Sequence, residues 1–220
     1  MAKAMVVGAN RGIGLELCRQ LKERGDAVIG TCRSASPALA SLGVRVESGV
    51  DVTDDASVKA LAARIAGEAL DVLVLNAGVL DNVSLSTLDI DSIRRQFEVN
   101  AIGPLRVAAA LLPNLHRGSK LAIVTSRMGS ISDNGSGGHY GYRMSKAAAN
   151  MAGVSLAHDL KPGGVAVVML HPGFVRTDLT RGRGDCDPTV AARGLLERID
   201  RLTLDATGGF VHANGERLAW

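Results

Sequence analysis

Tyr142 and Lys146 are the residues of this sequence whose types and spacing best suit acid–base chemistry. They begin a run rich in Ala, Met and Leu, residues 142–160, that we predict to be one helix. Side chains four positions apart share one face of a helix, with Cβ atoms about 5–6 Å apart. An ammonium group beside a phenol favours the phenolate, so we expect Lys146 to lower the pKa of Tyr142 from its ordinary value of about 10. Such a pair would transfer protons near neutral pH. The alternative is an amphipathic pair on the helix surface.

A glycine turn near the start of the chain is the second candidate site. The apolar residues 4–7 predict a buried strand, and the apolar spacing from Leu15 predicts a helix that ends at Gly25. The glycines between them are spaced G-x-x-x-G-x-G, unlike the general dinucleotide fingerprint or the nucleoside triphosphate loop. Free N–H groups and the helix dipole at such a turn attract phosphate. We therefore expect cofactor contacts from Gly8, Asn10, Arg11, Gly12, Ile13 and Gly14.

The end of the second predicted strand, residues 27–33, bears no carboxylate. An acidic residue at this position in a dinucleotide-binding sheet binds the adenosine ribose hydroxyls, whereas an arginine accommodates a 2′-phosphate. Here Cys32, Arg33 and Ser34 occupy the position. Arg33, with Arg11 from the glycine turn, favours NADP(H), and NAD(H) is the second choice. The alternative for both arginines is a solvated loop position.

Predicted strands and helices alternate along the rest of the chain. Apolar and β-branched runs predict further strands at residues 44–50, 70–75, 121–126, 165–171 and 209–212. Helical spacing predicts helices at residues 56–66, 89–115 and 189–202, the first capped by Thr53 or Asp54 and the second broken near Gly103-Pro104. This alternation predicts an α/β fold: a Rossmann-like, doubly wound parallel sheet of about seven strands, flanked by helices on both faces, in one domain over residues 1–220.

Several polar or glycine residues fall where predicted strands end: Gly8, Arg33, Asp51, Asn76 and Ser126. Ligands of such sheets bind at the carboxyl ends of the strands, so the topology would bring these separated residues to one edge. The start of the Tyr142 helix lies on the same side. Asn100 precedes the expected helix break, where its side chain would either satisfy freed carbonyl groups or serve the site.

Composition excludes several other classes of protein. The chain has 220 residues, 46% of them apolar and 21% charged, with a formal net charge of +3. These values suit an ordinary globular domain, and scattered basic residues with 3% aromatics give nucleic acid binding little support. Three widely spaced cysteines form neither a disulfide framework nor a metal-ligand pattern, so no metal is expected. We find no membrane-spanning run and no signal-peptide pattern, and we expect a cytoplasmic location.

Together these motifs resemble the single-domain short-chain dehydrogenase/reductase family, and within it most closely the C-factor-like carbonyl reductases. The resemblance spans nearly the whole chain, including the terminal segment 208–220. It rests on Gly8-x-x-x-Gly12-x-Gly14, Asp51, Asn76-Ala77-Gly78, Asn100, Ser126, Tyr142-x-x-x-Lys146 and His171-Pro172-Gly173. The sequence departs from the family pattern in two places. Val7 stands where a threonine is common, and the gap between Ser126 and Tyr142 is longer than usual. Tyr140 is a poor alternative acid, because Met144 rather than a lysine stands four residues later.

The resemblance implies roles for four catalytic residues. Tyr142 would be the general acid in reduction, and Lys146 would lower its pKa and hold the nicotinamide ribose. Ser126 would polarise a substrate carbonyl, and Asn100 would position a proton-relay water. The implied activity is reversible, NADPH-dependent reduction of a ketone or aldehyde by a homodimer or homotetramer that binds neither nucleic acid nor membrane. The alternative is an NADP(H)-binding signalling or sensor protein with little turnover.

The resemblance also implies the remaining binding residues. Asp51 and Val52 would hold the adenine, and Asn76, Ala77 and Gly78 would line the adenosine side. The nicotinamide pocket would be formed by Pro172, Gly173, Val175 and Thr177. A short segment, about residues 174–188, would cover the substrate, and we expect the substrate pocket to be lined by Leu80, Met128, the loop 131–139 and residues 174–183.

Overall fold

A single seven-stranded sheet organises the computed structural model, which describes all 220 residues. Every strand pairs in parallel with its neighbours, and the order across the sheet is β3-β2-β1-β4-β5-β6-β7. The strands are β1 Lys3–Val7, β2 Ala27–Thr31, β3 Arg45–Glu47, β4 Leu70–Leu75, β5 Leu115–Val124, β6 Ala166–His171 and β7 Gly209–His212. The predicted Rossmann-like fold is confirmed, because the order reverses between β1 and β4 as in a doubly wound sheet.

Seven α-helices connect and cover these strands. They are α1 Gly12–Glu23, α2 Pro37–Ser41, α3 Asp55–Arg64, α4 Ile90–Phe97, α5 Gly103–Ala110, α6 Tyr140–Leu160 and α7 Pro188–Asp200. Asp54 caps α3 by accepting hydrogen bonds from the backbone N–H groups of Ala56 and Ser57, at 3.1 and 3.2 Å. Of the two predicted caps for this helix, Asp54 is the one that the structure selects. No helix of the protein combines the length and apolarity needed to cross a bilayer.

The alternation of side chains along the strands divides the core between the two faces of the sheet. On one face Ala4, Val6 and Val74 pack with residues of α1 and α7, such as Leu17 and Leu195. On the other face Met5, Val7, Leu73 and Leu75 pack with residues of α3, α5 and α6. A strand buried on both faces needs a continuous apolar run, which explains why these segments could be predicted as strands of a parallel sheet.

The predicted helix over residues 89–115 is interrupted earlier than expected. Between α4 and α5, residues Glu98–Ile102 form a π-helical turn, and Pro104 lies in the first turn of α5 rather than at a kink. Proline is tolerated there because the first N–H groups of a helix have no partner within it. The disturbance therefore falls at Asn100, inside the π-helical turn, and not at Gly103-Pro104.

Two further boundaries differ from the prediction near the candidate site. β5 begins at Leu115, six residues before the predicted start at Leu121, and its register with β4 shifts between Leu70 and Val72. α6 begins at Tyr140 rather than Tyr142, directly after His139, which adopts a left-handed conformation with φ of 48°. Tyr142 and Lys146 thus lie in the first two turns of a helix of 21 residues.

Candidate active site

The carboxyl edge of the sheet carries an open cleft of about 950 Å³. It runs from the glycine turn after β1 to the start of α6. Most of the residues predicted to bind a cofactor line it: Gly8, Asn10, Arg11, Gly12, Ile13, Arg33, Asp51, Val52, Asn76, Ala77, Gly78, Tyr142, Lys146, Pro172 and Thr177. Residues far apart in the sequence therefore meet at the edge that the topology predicted. A cleft of this size can hold a nucleotide-containing ligand.

The glycine turn offers unpartnered N–H groups to this cleft. Arg11 is the N-cap of α1, but its side chain makes no capping bond, and the first turn contains no acidic residue. The N–H groups of that turn are therefore available to an anion. A Cβ atom at Gly14 would overlap the carbonyl oxygen of Gly8 and lie 2.7 Å from Nδ2 of Asn76. The tight turn thus fits a phosphate group, and Gly14 itself shapes the turn without lining the cleft.

Asn76 joins the glycine turn to the neighbouring strand. Its Nδ2 donates to the carbonyl oxygen of Gly8 at 2.9 Å, and its backbone N–H donates to Val7 at 3.0 Å. Asn10 plays a similar part toward the next loop, because its Oδ1 accepts from the backbone N–H of Ser36 at 2.6 Å. Both asparagines thus fix the backbone around the cleft, Asn76 through its Nδ2 and Asn10 through its Oδ1.

The far end of the cleft has an exposed positive charge next to a carboxylate. Arg33 is exposed, lines the cleft and forms no ion pair. The N–H of Thr53 donates to Asp51 at 2.9 Å and is the main reason that the pKa of Asp51 is lowered, with Arg33 contributing. Arg11 is instead paired with Asp178 across the cleft, at 2.9 Å. Of the two arginines, only Arg33 has no ion-pair partner.

Tyr142 and Lys146 are both buried at the opposite end, with 6% and 4% of their surfaces exposed. Nζ of Lys146 lies 5.7 Å from the centroid of the Tyr142 ring and donates to the carbonyl oxygen of Val124 at 3.0 Å. Burial raises the pKa of Tyr142 to about 12, partly opposed by its interaction with the Ser126 hydroxyl, and burial lowers the pKa of Lys146 to about 8. The structure therefore differs from the expectation that Lys146 lowers the pKa of Tyr142. Desolvation of the phenolate outweighs the nearby ammonium group, which is itself desolvated.

Ser126 lies two residues after the end of β5 and is the N-cap of a 3₁₀ turn over Arg127–Gly129. Its Oγ accepts a hydrogen bond from the backbone N–H of Met128 at 3.2 Å. The side chain is buried, and its hydroxyl proton is free to be donated toward Tyr142 or a substrate oxygen. Ser126 is thus held beside the phenol, as predicted from its place at the strand end.

Asn100 reaches the site because the π-helical turn directs its side chain out of the helix. Its Oδ1 accepts from the backbone N–H of Val79 at 2.8 Å, and its Nδ2 donates to the Val79 carbonyl at 2.8 Å and to Oγ of Ser145 at 3.0 Å. A Cβ atom at Gly78 would lie 3.3 Å from Oδ1 of Asn100 and 3.7 Å from Nζ of Lys146. The Asn100 side chain therefore serves the site edge and does not cap carbonyls of its own helix.

Ser145 is a site residue that the sequence reasoning missed. It is fully buried in α6 between Tyr142 and Lys146, accepts from Asn100 and donates to the carbonyl oxygen of Tyr142 at 2.9 Å. A hydroxyl next to a candidate lysine, on the face of the helix that packs inward, is the signal that could have identified it. Other cleft residues not predicted to bind the cofactor include Thr31, Cys32, Ser34, Val79 and Thr125.

The predicted substrate-covering segment contributes to the cleft only in part. Arg176, Thr177, Asp178, Leu179 and Pro188 line it. Leu80, Met128, Phe174 and the loop 131–139 do not line it, and neither do Gly173, Val175, Asn100 and Ser126. Val175 is buried and forms an isolated bridge with Cys186, which folds the segment onto itself. Within the loop 131–139, the hydroxyl of Ser132 donates to the backbone oxygen of Trp220.

His171 is a buried histidine next to the predicted nicotinamide pocket. Its ring packs edge-on against His212, with centroids 4.8 Å apart. Burial, with the positive charges of its surroundings, lowers the pKa of His171 to about 3, so the imidazole is neutral. It packs at the end of β6, and no hydrogen bond of the site joins it to Tyr142 or Ser126.

Comparison with known proteins agrees with this geometry. The sequence model of the short chain dehydrogenases matches residues 2–186. The chain is 48% identical, over the full length of both proteins, to the 1-hydroxy-2-glutathionyl-2-methyl-3-butene dehydrogenase of Rhodococcus sp. (strain AD45). It is 44% identical to the C-signal protein of Myxococcus xanthus, covering 74% of this chain and all of that protein. Among solved structures, the NADPH-bound carbonyl reductase from chicken fatty liver superposes with a TM-score of 0.91 at 28% identity, over 100% of this chain and 99% of that one.

Sequence, fold and site thus lead to one assignment. The family model covers most of the chain, a dehydrogenase is 48% identical over its whole length, and the fold superposes on that of a solved carbonyl reductase. The chain belongs to the short-chain dehydrogenase/reductase family of oxidoreductases.

Proposed function

We propose that the protein is an NADP(H)-dependent carbonyl reductase that also oxidises the corresponding alcohol. The observation that carries this proposal is the buried cluster of Tyr142, Lys146, Ser126 and Asn100, of which Tyr142 and Lys146 line one end of a cleft large enough for a dinucleotide. A pure binding protein gains nothing from burying a lysine and a tyrosine together, because desolvating an ammonium group is unfavourable. Such an arrangement suits proton transfer.

The residues would divide the reaction between them. A bound nicotinamide would supply or accept the hydride, which is chemistry that the protein does not itself provide. Tyr142, whose raised pKa keeps the phenol protonated at neutral pH, would donate its proton to the developing alkoxide oxygen during reduction. Ser126 would donate its hydroxyl proton to the same oxygen as a hydrogen bond and stabilise the negative charge that forms there. Lys146 would stabilise the phenolate that remains, and Asn100 would hold the path by which the proton is replaced.

NADP(H) is the proposed cofactor, with NAD(H) as a weaker alternative. Arg33 lines the cleft without forming an ion pair, and no carboxylate stands at the end of β2. A guanidinium group there matches a 2′-phosphate better than a ribose diol. Support also comes from the carbonyl reductase of chicken fatty liver, which has this fold and binds NADPH. Dissociation constants for NADPH and NADH, measured by fluorescence, test the proposal; tighter binding of NADH would contradict it.

The test of the activity is a panel of ketones, aldehydes and alcohols with NADP(H), followed by absorbance of the reduced cofactor. Tyr142→Phe should lower kcat by roughly 10²–10⁴-fold, since it removes the general acid while preserving the ring. Tyr140→Phe is the matched control, because this tyrosine lies on the same helix without a lysine four residues later. An active Tyr142→Phe enzyme would show that the proton comes from another group.

One alcohol class belongs in the panel for a specific reason. The 48% identical relative is named for an alcohol that carries a glutathionyl group, and glutathione brings two carboxylates. Arg181 and Arg183 are exposed on the substrate-covering segment and form no ion pair. We propose thioether alcohols with carboxylate groups as candidate substrates. A lower KM for a 2-glutathionyl alcohol than for the alcohol without the conjugate would support this choice.

A signalling role is the second candidate, favoured by the similarity to the C-signal protein. It predicts NADPH binding without turnover of any carbonyl or alcohol in the panel. The two candidates are therefore separated by the same assay.

Self-association is a further proposal of the same kind. Ile102, Leu105 and Met151 expose apolar side chains on or beside α5 and α6, which supports a homodimer or homotetramer formed through these helices. Light scattering that gives the mass of a single chain would contradict it.

A further inference from the structure

The terminal segment, residues 213–220, is a sequence motif that the proposed mechanism does not use; we call it the tail. It folds back on the edge strand β7, where the N–H of His212 donates to Glu216 at 2.8 Å and the N–H of Leu218 donates to Phe210 at 2.9 Å. The ring of Trp220 stacks on the buried ring of Phe210, with centroids 5.2 Å apart and planes 22° apart. The tail is therefore held firmly by the sheet.

The far side of the tail holds the segment that follows Ser126. The backbone N–H and the hydroxyl of Ser132 both donate to the backbone oxygen of Trp220, at 3.0 and 2.6 Å. Arg127, the residue next to Ser126, pairs with Glu216 of the tail at 3.2 Å and with Asp133 at 3.1 Å. Two independent connections thus join the tail to residues 127–133.

Residues 127–133 in turn determine where the Ser126 hydroxyl lies. The N–H of Met128 donates to Oγ of Ser126, and the N–H of Gly129 donates to the Ser126 carbonyl at 2.8 Å. A Cβ atom at Gly129 would lie 2.7 Å from the carbonyl carbon of Lys146, so the turn packs tightly against α6. A shift of this turn would move Ser126 relative to both Tyr142 and Lys146.

We propose that the tail is a positioning element for Ser126, which acts through the turn over residues 127–133. The proposal rests on the proposed reductase function. The ion pairs of Arg127 are about half exposed, and such pairs contribute little. The Trp220 anchor is the stronger connection, because one backbone oxygen accepts two hydrogen bonds and the indole ring is stacked on the core.

A chain shortened to Ala219 tests the anchor, because it lacks both the acceptor oxygen and the indole ring. We expect kcat/KM for the best carbonyl substrate to fall roughly 10- to 100-fold, the size of effect that a small displacement of a catalytic group produces. The dissociation constant for NADPH should stay unchanged, since no residue of the tail lines the cleft. Trp220→Phe, which retains the backbone oxygen and an aromatic ring, should recover most of the activity.

Hydrogen exchange gives a readout that does not depend on turnover. In the shortened chain the amide of Ser132 should lose protection, while amides of β1 should exchange as before. Unchanged kcat/KM with unchanged protection at Ser132 would overturn the proposal. Equal losses of NADPH affinity and of β1 protection would also overturn it, because they indicate general destabilisation. If the full chain reduces no carbonyl, the proposed function fails, and exchange at Ser132 alone then decides whether the tail holds the turn.

Discussion

The two ends of the cleft are built from different kinds of group. At the glycine-turn end, the binding groups are backbone N–H groups and the exposed side chain of Arg33, all of which water can solvate when no ligand is present. At the α6 end, the chemical groups of Tyr142 and Lys146 are removed from water. Their pKa values move in opposite directions for the same reason, since burial disfavours the charged form of each.

The difference shows which end of the cleft lowers the stability of the folded protein. Free N–H groups at a helix terminus form hydrogen bonds with water at little cost. An ammonium group whose one hydrogen bond is to the carbonyl oxygen of Val124 is costly to bury. Substitutions at the first end should therefore weaken binding and leave folding nearly intact. Substitutions at the second end should remove activity and can increase stability, as in other enzymes whose sites are strained.

Lys146→Met should show the largest effect of this kind. Removing the charge should lower kcat by roughly 10²–10³-fold, because an electrostatic stabiliser is lost. The folded-state pKa of about 8 lies below the ordinary 10.5, so the unfolded chain binds more protons between these values. Wild-type stability should therefore rise as pH increases from 8 to 10.5, and at pH 7 the variant should be more stable by roughly 1–3 kcal/mol.

Urea denaturation at pH 7 and pH 10 measures both parts of the Lys146 prediction. Lys59→Met is the control, since that lysine is exposed on α3. A variant less stable than the wild type at pH 7 would show that the bond to Val124 outweighs the desolvation of the ammonium group.

Gly14→Ala should be the most damaging change at the other end. The added methyl group would overlap the Gly8 carbonyl and approach Asn76, so the turn must open. Overpacking of about 1–3 kcal/mol predicts NADPH binding weaker by roughly 10- to 100-fold. Gly135→Ala is the control, because a Cβ atom there meets no other atom within 4 Å and its φ is not positive. Isothermal titration should detect no change in NADPH affinity for the control; normal affinity in Gly14→Ala would contradict the tight-turn geometry.

Arg33→Ala should change cofactor preference rather than activity. Loss of one charged hydrogen-bond donor predicts an NADPH dissociation constant roughly tenfold higher, with the NADH constant unaltered. Arg11→Ala should have the smaller effect, because Arg11 is already paired with Asp178. The ratio of kcat/KM for the two cofactors is the measurement. Equal effects of Arg33→Ala on NADPH and NADH would exclude a contact with the 2′-phosphate.

The smallest expected effect concerns acid stability. The pKa of His171 is about 3 in the folded protein and near 6.5 when solvated, so the unfolded chain binds the extra proton below pH 6.5. His171→Gln should therefore flatten the loss of stability as pH falls from 6.5 to 5, by roughly 1–2 kcal/mol. His158→Gln, an exposed histidine on α6, is the control. Identical acid denaturation of the wild type and His171→Gln would show that the buried His171 does not determine how stability falls at acid pH.

Sequence reasoning succeeded for the features that follow from local pattern. The strands β4 and β7 were predicted to the residue, and the strand-end rule brought Gly8, Asp51 and Asn76 to one cleft. These predictions work because buried parallel strands need apolar runs and because the chain ends each strand at the same edge.

The features that failed depend on contacts between distant segments. The raised pKa of Tyr142 follows from burial by surrounding elements, which helical spacing does not reveal. The role of Ser145 requires Asn100 from another segment of the chain, and Ser132 in the loop 131–139 bonds to Trp220, which lies 88 residues away in the sequence. A kink or break near Gly103-Pro104 was predicted, but its form, a π-helical turn that contains Asn100, was not, because Pro104 gives the stronger local signal.

The π-helical turn also sets the relative phase of the two helices that it joins. On its first side, Ser92 of α4 donates to Asp81 at 2.9 Å, beside the α6 end of the cleft. On its second side, Arg106 of α5 donates to the carbonyl oxygen of Val52 at 2.6 Å, and Val52 lines the cleft together with Arg33. An α-helix advances about 100° per residue, so deleting one residue from the turn would rotate α4 against α5 by about that angle. The single additional residue therefore allows one helical segment to remain in register with both ends of the cleft at once.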